Sequence, residues 1–237
     1  MDISVLERLR HGLIVSCQAL EDEPLHGARI MARMALAASM GGAAGIRCNG
    51  IEDIRAIRQT ISLPTIGIIK KKYADSPVYI TPSMEEVALL VASGTDIIAV
   101  DATDRVHPGG KTGWEFVEEI KNQYPDILLM ADISNKDEAV LADQAGADII
   151  STTLSGYTGN IPVPSEPDFE LIRLLAGKIK GKLFAEGRLT TPEKAVKALA
   201  LGAYAVVVGG AITRPQLITK SYADKIKNWN EDVSGSV

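Results

Sequence analysis

Residues 92–101 read ASGTDIIAVD, and three other stretches repeat the same design: GGAAGIR at 41–47, QAGADIIST at 144–152 and LGAYAVVVG at 201–209. Each stretch places a glycine at the end of a segment with helical period, and an apolar run begins after a small residue. Glycine is favoured just past a helix end because it accepts the left-handed backbone conformation there. The four stretches therefore predict helix-to-strand loops, which recur at intervals of roughly two strand-and-helix units.

The same alternation continues through the 237 residues, with eight short apolar runs separated by segments of helical period. Strict alternation of strand and helix implies parallel strands with right-handed crossovers. Eight such units in one domain length predict a closed (β/α)8 TIM barrel, which typically has about 250 residues. The predicted strands are Leu13–Gln18, Ala44–Arg47, Pro64–Ile69, Ile97–Asp101, Ile127–Asp132, Asp148–Thr152, Lys182–Glu186 and Ala205–Gly209, and the predicted helices are 28–40, 51–60, 83–93, 114–123, 136–145, 168–178, 192–201 and 216–228.

An open doubly wound sheet is the alternative, but it usually has fewer strands and a glycine-rich loop after the first strand. Here Gln18 is followed by Ala-Leu-Glu-Asp-Glu-Pro, which favours the barrel. A single barrel domain is predicted over 1–230, with a short N-terminal helix within Met1–Arg10 that covers the barrel floor. The polar stretch 231–237 is predicted to be a disordered tail.

Composition narrows the classes of function. The chain is 46% hydrophobic and only 5% aromatic, which suits buried parallel strands of Ala, Val, Ile and Leu. Its net charge of −5 argues against nucleic acid as a partner. The apolar runs are too short to span a membrane and the charged N-terminal residues lack an apolar signal region. Cys17 and Cys48 show no metal-binding spacing and are expected to be free and buried in a cytoplasmic protein.

Polar residues at the carboxyl ends of the strands are the candidates for a site, because barrel enzymes place their active sites there. A charged group at such a position is costly to bury unless it is paired or used. Some of these residues, Asp101 among them, could instead be salt-bridge partners that stiffen the rim. The predicted strands end in Gln18, Arg47, Lys70, Asp101, Asp132, the region Ser151–Thr153, and Glu186.

The last two strand ends predict a phosphate site. Barrel enzymes often hold phosphate with the loops after strands seven and eight and the N-terminus of a short extra helix. Here those loops contain Gly187 and Arg188, then Gly209 and Gly210, followed by Arg214. Glycines let backbone N–H groups approach an anion, and a guanidinium can bind it through two hydrogen bonds. A plain tight turn is the alternative for the Gly-Gly pair.

Lys70 is the candidate reacting group, because it directly follows the third strand while Lys71 and Lys72 are expected to face water. It could form a Schiff base or carry a proton, and both roles need a neutral amine. Its pKa must then fall from about 10.4 through burial or through a nearby positive charge such as Arg47. Glu186 and Asp132 are the carboxylates expected to position a substrate or to move a proton between its oxygens.

Neither a metal nor another cofactor is expected. Asp101, Asp132 and Glu186 could hold a divalent ion in principle, but no histidine joins them in a ligand pattern. His11 is expected on the wrong face of the barrel. His107 is expected in the loop after the fourth strand, where it could contact a ligand at the rim.

Nine stretches carry a further signal through their order and spacing: LIVSCQALE (13–21), GIRCNG (45–50), PTIGIIK (64–70), YITP (79–82), DAT (101–103), ADIS (131–134), TTLSGYT (152–158), AEGR (185–188) and VGGAITRP (208–215). Together they resemble the bacterial N-acetylmannosamine-6-phosphate 2-epimerase family over nearly the whole chain. The loop 104–110 departs from that pattern, since His107 stands where the family often has arginine.

The resemblance implies an isomerase that converts N-acetylmannosamine 6-phosphate to N-acetylglucosamine 6-phosphate, a step in sialic acid breakdown, by removing and returning the proton at C2. It implies that Lys70 carries this proton and that Glu186 holds or activates the substrate. The residues expected to contact the sugar are Gln18, Arg47, Asp132 and Thr153, and those expected to hold the phosphate are Gly187, Arg188, Gly209, Gly210 and Arg214.

Two rival functions stay open on the sequence alone. A Schiff-base aldolase or other lyase would also use a lysine at a strand end and a phosphate site. A non-catalytic sensor of sugar phosphates would bind the ligand without exchanging its C2 proton. A homodimer is expected by default, because symmetric dimers are the commonest soluble oligomers.

Overall fold

The structure, a computed structural model, describes residues 4–159 and 163–234, and the eight parallel strands within these ranges form a closed barrel. Each strand pairs with its neighbour in the chain, and β1 pairs with β8 to complete the ring. The predicted (β/α)8 barrel is therefore confirmed. The strands are β1 Leu13–Cys17, β2 Gly45–Asn49, β3 Thr65–Ile68, β4 Ile97–Asp101, β5 Leu128–Asp132, β6 Ile149–Ser151, β7 Lys182–Glu186 and β8 Ala205–Val208.

The helices match the predicted segments to within one residue at each end, except for 168–178, where the helix is Phe169–Leu175, and for the last segment of the chain. The final helix, Pro215–Ser234, is longer than the predicted segment 216–228 and is supported by ion pairs one turn apart, such as Lys220 with Asp224. Residues 231–234 of the predicted disordered tail are therefore helical, and 235–237 lie outside the described residues. The helices are α1 Val5–Leu9, α2 Ala28–Met40, α3 Ile51–Thr60, α4 Met84–Ser93, α5 Gly113–Gln123, α6 Lys136–Gln144, α7 Phe169–Leu175, α8 Pro192–Ala200, α9 Gly210–Thr213 and α10 Pro215–Ser234.

The glycines of the repeated stretches have the backbone conformation that the sequence predicts. Gly42, Gly94, Gly146 and Gly202 have φ angles of 91°, 71°, 100° and 107°. A side chain at any of these positions would be strained in this left-handed region. The glycines therefore turn the chain from a helix of the outer ring into the next strand.

Two apolar layers hold the barrel together. One lies between strands and helices, and the other fills the interior with residues such as Ile14, Ile66 and Phe184. Helix α1 inserts the fully buried Leu9 into the floor of this inner layer. A Cβ on Gly45 would lie 2.7 Å from Leu9 Cδ2, so glycine at this position leaves the space that the Leu9 side chain fills. The short N-terminal helix on the barrel floor is thus confirmed.

Strand β2 differs from its prediction in a way that affects the site. The sequence predicts a strand over Ala44–Arg47, whereas the strand extends from Gly45 to Asn49 and Arg47 is its middle residue. Arg47 consequently points into the barrel, because the residues on either side of it pack against the outer helices. Cys17 and Cys48 are register partners on β1 and β2, and both are free and buried as predicted.

No helix in the described part of the chain is both long and apolar enough to span a lipid bilayer.

Candidate active site

A cavity of about 920 Å³ opens where the strands end, and most of the predicted site residues line it. Asp132 is the exception, because it lies fully buried beneath the cavity and reaches the site through Arg47. The structure thus brings the predicted catalytic, sugar-binding and phosphate-binding residues into one place. Those that line the cavity are Gln18, Arg47, Lys70, Thr153, Glu186, Gly187, Arg188, Gly209, Gly210 and Arg214.

Arg47 organises the floor of this cavity. Its guanidinium donates two hydrogen bonds to Asp132, with Nη1–Oδ1 and Nη2–Oδ2 distances of 3.0 and 2.5 Å, and Nη1 also lies 2.9 Å from Glu186 Oε2. Thr153 Oγ1 contacts the same two carboxylates at 2.6 and 3.1 Å. Burial alone would lower the pKa of Arg47, but the charges of Asp132 and Glu186 outweigh it and raise the pKa. The cation therefore stays charged in the barrel interior.

One donor of Arg47 is not used by this network. The Nε atom is buried and has no hydrogen-bond partner among the described residues. A buried donor without a partner is energetically costly. The atom has no surface that faces the cavity, so the unmet donor is a cost of burying Arg47 and not a contact for a ligand.

The loop after β3 presents Lys70 to the cavity. Its backbone N–H donates to Asn49 Oδ1 at 2.8 Å, and Lys70 forms an antiparallel bridge with Ile80. Lys71 is partly exposed, as expected for this run, but it also pairs with the buried Glu86 at 2.8 Å. The loop 70–82 therefore folds back on itself and is tied to α4, which fixes the position from which Lys70 extends.

The two candidate reacting groups have pKa values displaced in opposite directions. Burial, and then the positive charges of Arg47 and Arg214, lower the pKa of Lys70 to about 8. Burial raises the pKa of Glu186, and the nearby Asp132 adds to this effect while Arg47 opposes it. Both shifts bring the pKa values of these groups closer to neutral pH. A base accepts and an acid donates a proton most efficiently when its pKa lies near the working pH. The arrangement is suited to proton transfer.

The residues predicted to bind phosphate line one side of the cavity, and both of the arginines among them have protein partners. Arg214 pairs with Glu23 through Nε–Oε1 and Nη2–Oε2 distances of 2.5 and 3.0 Å. The hydrogen bond from Arg214 lowers the pKa of Glu23. Arg188 donates to the backbone carbonyls of Glu166 and Ser155 at 2.6 and 2.5 Å. These contacts hold both guanidinium groups at the wall of the cavity that Gly209 and Gly210 also line.

Asp101 and His107 do not line the cavity. Asp101 is fully buried and pairs with Arg105, so the salt-bridge interpretation applies to it. The ring nitrogens Nδ1 and Nε2 of His107 each lie 2.9 Å from a backbone carbonyl oxygen, those of Pro82 and Asp101. His107 is buried and therefore does not lie at the rim as expected. Its ring connects the end of β4 with the loop before α4.

Sequence reasoning missed several residues of the cavity wall. Ser16 could have been found, because it shares the inward face of β1 with the predicted Gln18 at a period of two. Tyr79 and Ile80 come from a loop that folds back onto Lys70, for which no local pattern gives a signal. The residues Leu154, Leu217, Ile218, Ser221 and Tyr222 were also missed. Within the described ranges, no group of three or more His, Cys, Asp or Glu side chains is arranged to hold a metal ion.

The fold and the cavity define a (β/α)8-barrel enzyme with its lysine, carboxylates and glycine loops at the strand ends. The family model described as "Putative N-acetylmannosamine-6-phosphate epimerase" (NanE) matches residues 31–228. The chain belongs to this N-acetylmannosamine-6-phosphate 2-epimerase family.

Individual relatives agree with this assignment. A protein of Caldanaerobacter subterraneus subsp. tengcongensis, described as "Putative N-acetylmannosamine-6-phosphate 2-epimerase", is 56% identical over 96% of both chains. A Borreliella burgdorferi protein with the same description is 52% identical and covers 94% of this chain and 97% of its own. The solved structure of the N-acetylmannosamine-6-phosphate 2-epimerase from Clostridium perfringens superposes with a TM-score of 0.89 at 49% identity, covering 94% of this chain and 97% of that one.

A more distant structural neighbour shares the fold alone. The thiamine phosphate pyrophosphorylase from Pyrococcus furiosus superposes with a TM-score of 0.60 at 18% identity.

Proposed function

We propose that this protein interconverts N-acetylmannosamine 6-phosphate and N-acetylglucosamine 6-phosphate by proton transfer at C2. The observation that carries the proposal is one cavity in which Lys70 and Glu186 both have pKa values displaced toward neutrality. The names of the relatives supply the substrate pair. Neither the lyase nor the sensor is favoured by any observation on the site.

In the proposed reaction, Lys70 as a neutral amine takes the C2 proton of the ring-opened sugar. The electron pair of the broken C–H bond forms a C1–C2 double bond, and negative charge passes to the C1 oxygen. Glu186, which holds a proton more readily than an ordinary glutamate, donates to this oxygen. Return of the proton from Lys70 to the opposite face of C2, while the C1 oxygen gives its proton back to Glu186, restores the carbonyl and gives the epimer. Arg47 stays charged on the cavity floor, where Asp132 balances its cation.

Phosphate binding would place the sugar for this step. Gly187, Gly209 and Gly210 offer backbone N–H groups, and Arg188 and Arg214 offer charge, at the side of the cavity after β7 and β8. Interactions with a group far from the reacting carbon can be used to orient that carbon. The proposal therefore assigns affinity to the phosphate side and proton transfer to Lys70 and Glu186.

Proton NMR of the purified protein with N-acetylmannosamine 6-phosphate in D2O tests the function. We expect N-acetylglucosamine 6-phosphate to appear with deuterium at C2, without added metal, because the proton on Lys70 exchanges with solvent. Line broadening without conversion would contradict the proposal and indicate a sensor. Cleavage products, together with a borohydride-trapped adduct on Lys70, would indicate a lyase.

We further propose that the protein acts in the cytoplasm, where its buried thiols Cys17 and Cys48 would stay reduced.

We also propose that the protein forms a homodimer through α10. Tyr222, Ile226 and Trp229 lie along one face of α10 at helical spacing and are 69%, 60% and 63% exposed. An exposed apolar stripe of this kind is typical of an interaction surface.

The proposed dimer predicts a change in mass when the stripe is charged. Trp229→Glu is expected to sediment as a monomer at a concentration where the parent protein is dimeric, because a carboxylate would have to be buried in the contact. Asn228→Glu adds the same charge away from this face and should remain a dimer. A monomeric parent protein in sedimentation equilibrium would exclude the proposed contact.

A further inference from the structure

Two residues of the loop after β3 lie between the ends of β3 and β4. The parallel pairing of these strands reaches only to Gly67 and Ile98, whereas β4 and β5 pair along their whole length. Beyond this point an inserted segment, Ile80–Thr81, occupies the space between the strands. It forms hydrogen bonds both to β4 and to Ile69, the residue that follows β3.

The inserted segment replaces the hydrogen bonds that would continue the ladder between the two strands. In the register of β3 and β4, the N–H of Ile69 would donate to the Ala99 carbonyl, and the N–H of Asp101 would donate to the Ile69 carbonyl. Instead, Ile69 N donates to Thr81 Oγ1 at 3.2 Å, and the Ile69 carbonyl accepts from Thr81 N at 2.8 Å. On β4, the Ala99 carbonyl accepts from Thr81 Oγ1 at 2.7 Å. Asp101 N donates to the Ile80 carbonyl at 3.1 Å, so the inserted segment satisfies all of these groups and holds the strand ends apart.

Thr81 has a backbone conformation that is costly for its residue type. Its φ angle is 45°, in the left-handed region, where a β-branched side chain is rarely found. The residue is fully buried, and its hydroxyl accepts a hydrogen bond from the β3 side and donates one to β4, which keeps the backbone in this state. Strained residues that are fixed by their surroundings cluster at functional sites. The strain at Thr81 therefore indicates that the geometry of the inserted segment has a function.

The group that the inserted segment holds is the backbone of Lys70. The Ile69 carbonyl and the Lys70 N–H belong to one planar peptide unit. Thr81 N donates to this carbonyl, while the Lys70 N–H donates to Asn49 Oδ1 at 2.8 Å. Lys70 also pairs with Ile80 in an antiparallel bridge. The peptide unit that precedes the Lys70 side chain is therefore fixed from both sides, by β2 and by Thr81.

The position of this peptide unit matters because a lysine side chain has several rotatable bonds. The location of the amine depends on the backbone from which the side chain extends, and a displacement of about 1 Å at a reacting group can lower a rate by about 10²-fold. The residues expected to hold the phosphate lie on the loops after β7 and β8 and do not depend on the inserted segment. A change at Thr81 should therefore affect the reacting end of the cavity alone.

We infer that Thr81 is a positioning residue for the proposed proton transfer, because its hydroxyl and its strained backbone set the direction in which Lys70 extends into the cavity. Thr81 itself does not line the cavity. The inference rests on the proposed function, since Thr81 acts through the lysine that this function requires. Loss of the Thr81 hydroxyl should lower kcat and leave KM unchanged.

Steady-state kinetics of Thr81 variants with N-acetylmannosamine 6-phosphate test this role. Thr81→Ala removes the hydroxyl between β3 and β4, and kcat per folded enzyme is expected to fall by about 10- to 10²-fold while KM stays within about twofold of the parent value. Thr81→Ser keeps the hydroxyl and should retain most of kcat. Thr95→Ala is the matched control, because the Thr95 hydroxyl donates to the Thr65 carbonyl at the other end of the same strands and its loss should leave kcat unchanged.

The pH profile provides a measurement that loss of stability alone would not change. The pKa of Lys70 is lowered by burial and by positive charge. The charged groups that act on it are Arg47, Arg214, Glu186 and Glu23. If Thr81→Ala lets Lys70 move toward water, its pKa should rise toward the ordinary value. The fall of kcat/KM on the alkaline side, expected at about pH 8 for the parent protein, should then shift to higher pH.

The outcomes separate the two proposals. If the parent protein does not convert N-acetylmannosamine 6-phosphate, the proposed function fails and the role of Thr81 fails with it. If the parent protein is active but kcat of Thr81→Ala is unchanged, only the role of Thr81 is wrong. An equal loss in Thr81→Ser would also overturn the inference, because the hydroxyl would then not be the determinant. Thr81→Gly decides the question if the alanine variant does not fold, since glycine accepts this φ angle without strain and also lacks the hydroxyl.

Discussion

Replacing Lys70 with methionine is expected to lower kcat by about 10²- to 10⁴-fold, the usual contribution of a positioned proton-transfer group. KM should change little, because the phosphate side of the cavity is untouched. Methionine keeps the length and apolar stem of the side chain but cannot accept a proton. Lys72→Met is the matched control, since it removes the same charge from an exposed position on the same loop. Near-normal deuterium incorporation at C2 by Lys70→Met would contradict the proposed role.

The pH profile provides a second measurement on the same pair. Lys70 must be able to accept a proton and Glu186 to donate one, so the active form holds one proton between them. As the pH rises through about 8, where Lys70 titrates, this proton is lost and kcat/KM should fall. On the acid side, kcat/KM should fall as the pH drops through the raised pKa of Glu186. A kcat/KM that keeps rising above about pH 8 would show that Lys70 acts without a protonated partner.

The architecture could be predicted from the sequence because its signals are local. The glycines of the repeated stretches fix the helix-to-strand turns. Continuous apolar runs such as those that follow them are typical of parallel strands buried on both faces. The strand ends then located Lys70 and Glu186 in one cavity and Asp132 beneath it, because a closed barrel brings those ends together. The hydrophobic periodicity and the closure of the barrel were therefore sufficient to predict the architecture and the end of the barrel at which the cavity opens.

The remaining features depend on contacts between residues far apart in the chain. The sequence placed Arg47 at the end of a strand, because a cation rarely occupies a strand interior. The carboxylates that stabilise it there lie on β5 and β7, far from Arg47 in the chain. The pairing of Arg214 with Glu23 joins the end of α9 to the loop between β1 and α2. Tyr79 reaches the cavity only because its loop folds back on Lys70. None of these contacts has a signature in the local sequence.

Arg47→Met is expected to lower the free energy of unfolding by about 3–5 kcal/mol, the usual cost of removing one partner from a buried ion pair. Asp132 is fully buried and the Glu186 side chain is 15% exposed, and both would lose the cation that they share. Denaturant unfolding monitored by circular dichroism measures the change. Arg58→Met serves as a control, because Arg58 pairs with Asp96 at a partly exposed position, where such pairs contribute about 0–1 kcal/mol.

A double variant separates the stability of the Arg47 network from its role in the reaction. In Arg47→Met with Asp132→Leu, the ion pair is replaced by apolar side chains, which is often neutral or stabilising. We therefore expect most of the lost stability to return. Activity should not return, because Lys70 would lack the positive charge of Arg47 that helps to lower its pKa. If the double variant regained near-normal kcat/KM, Arg47 would be a structural residue only.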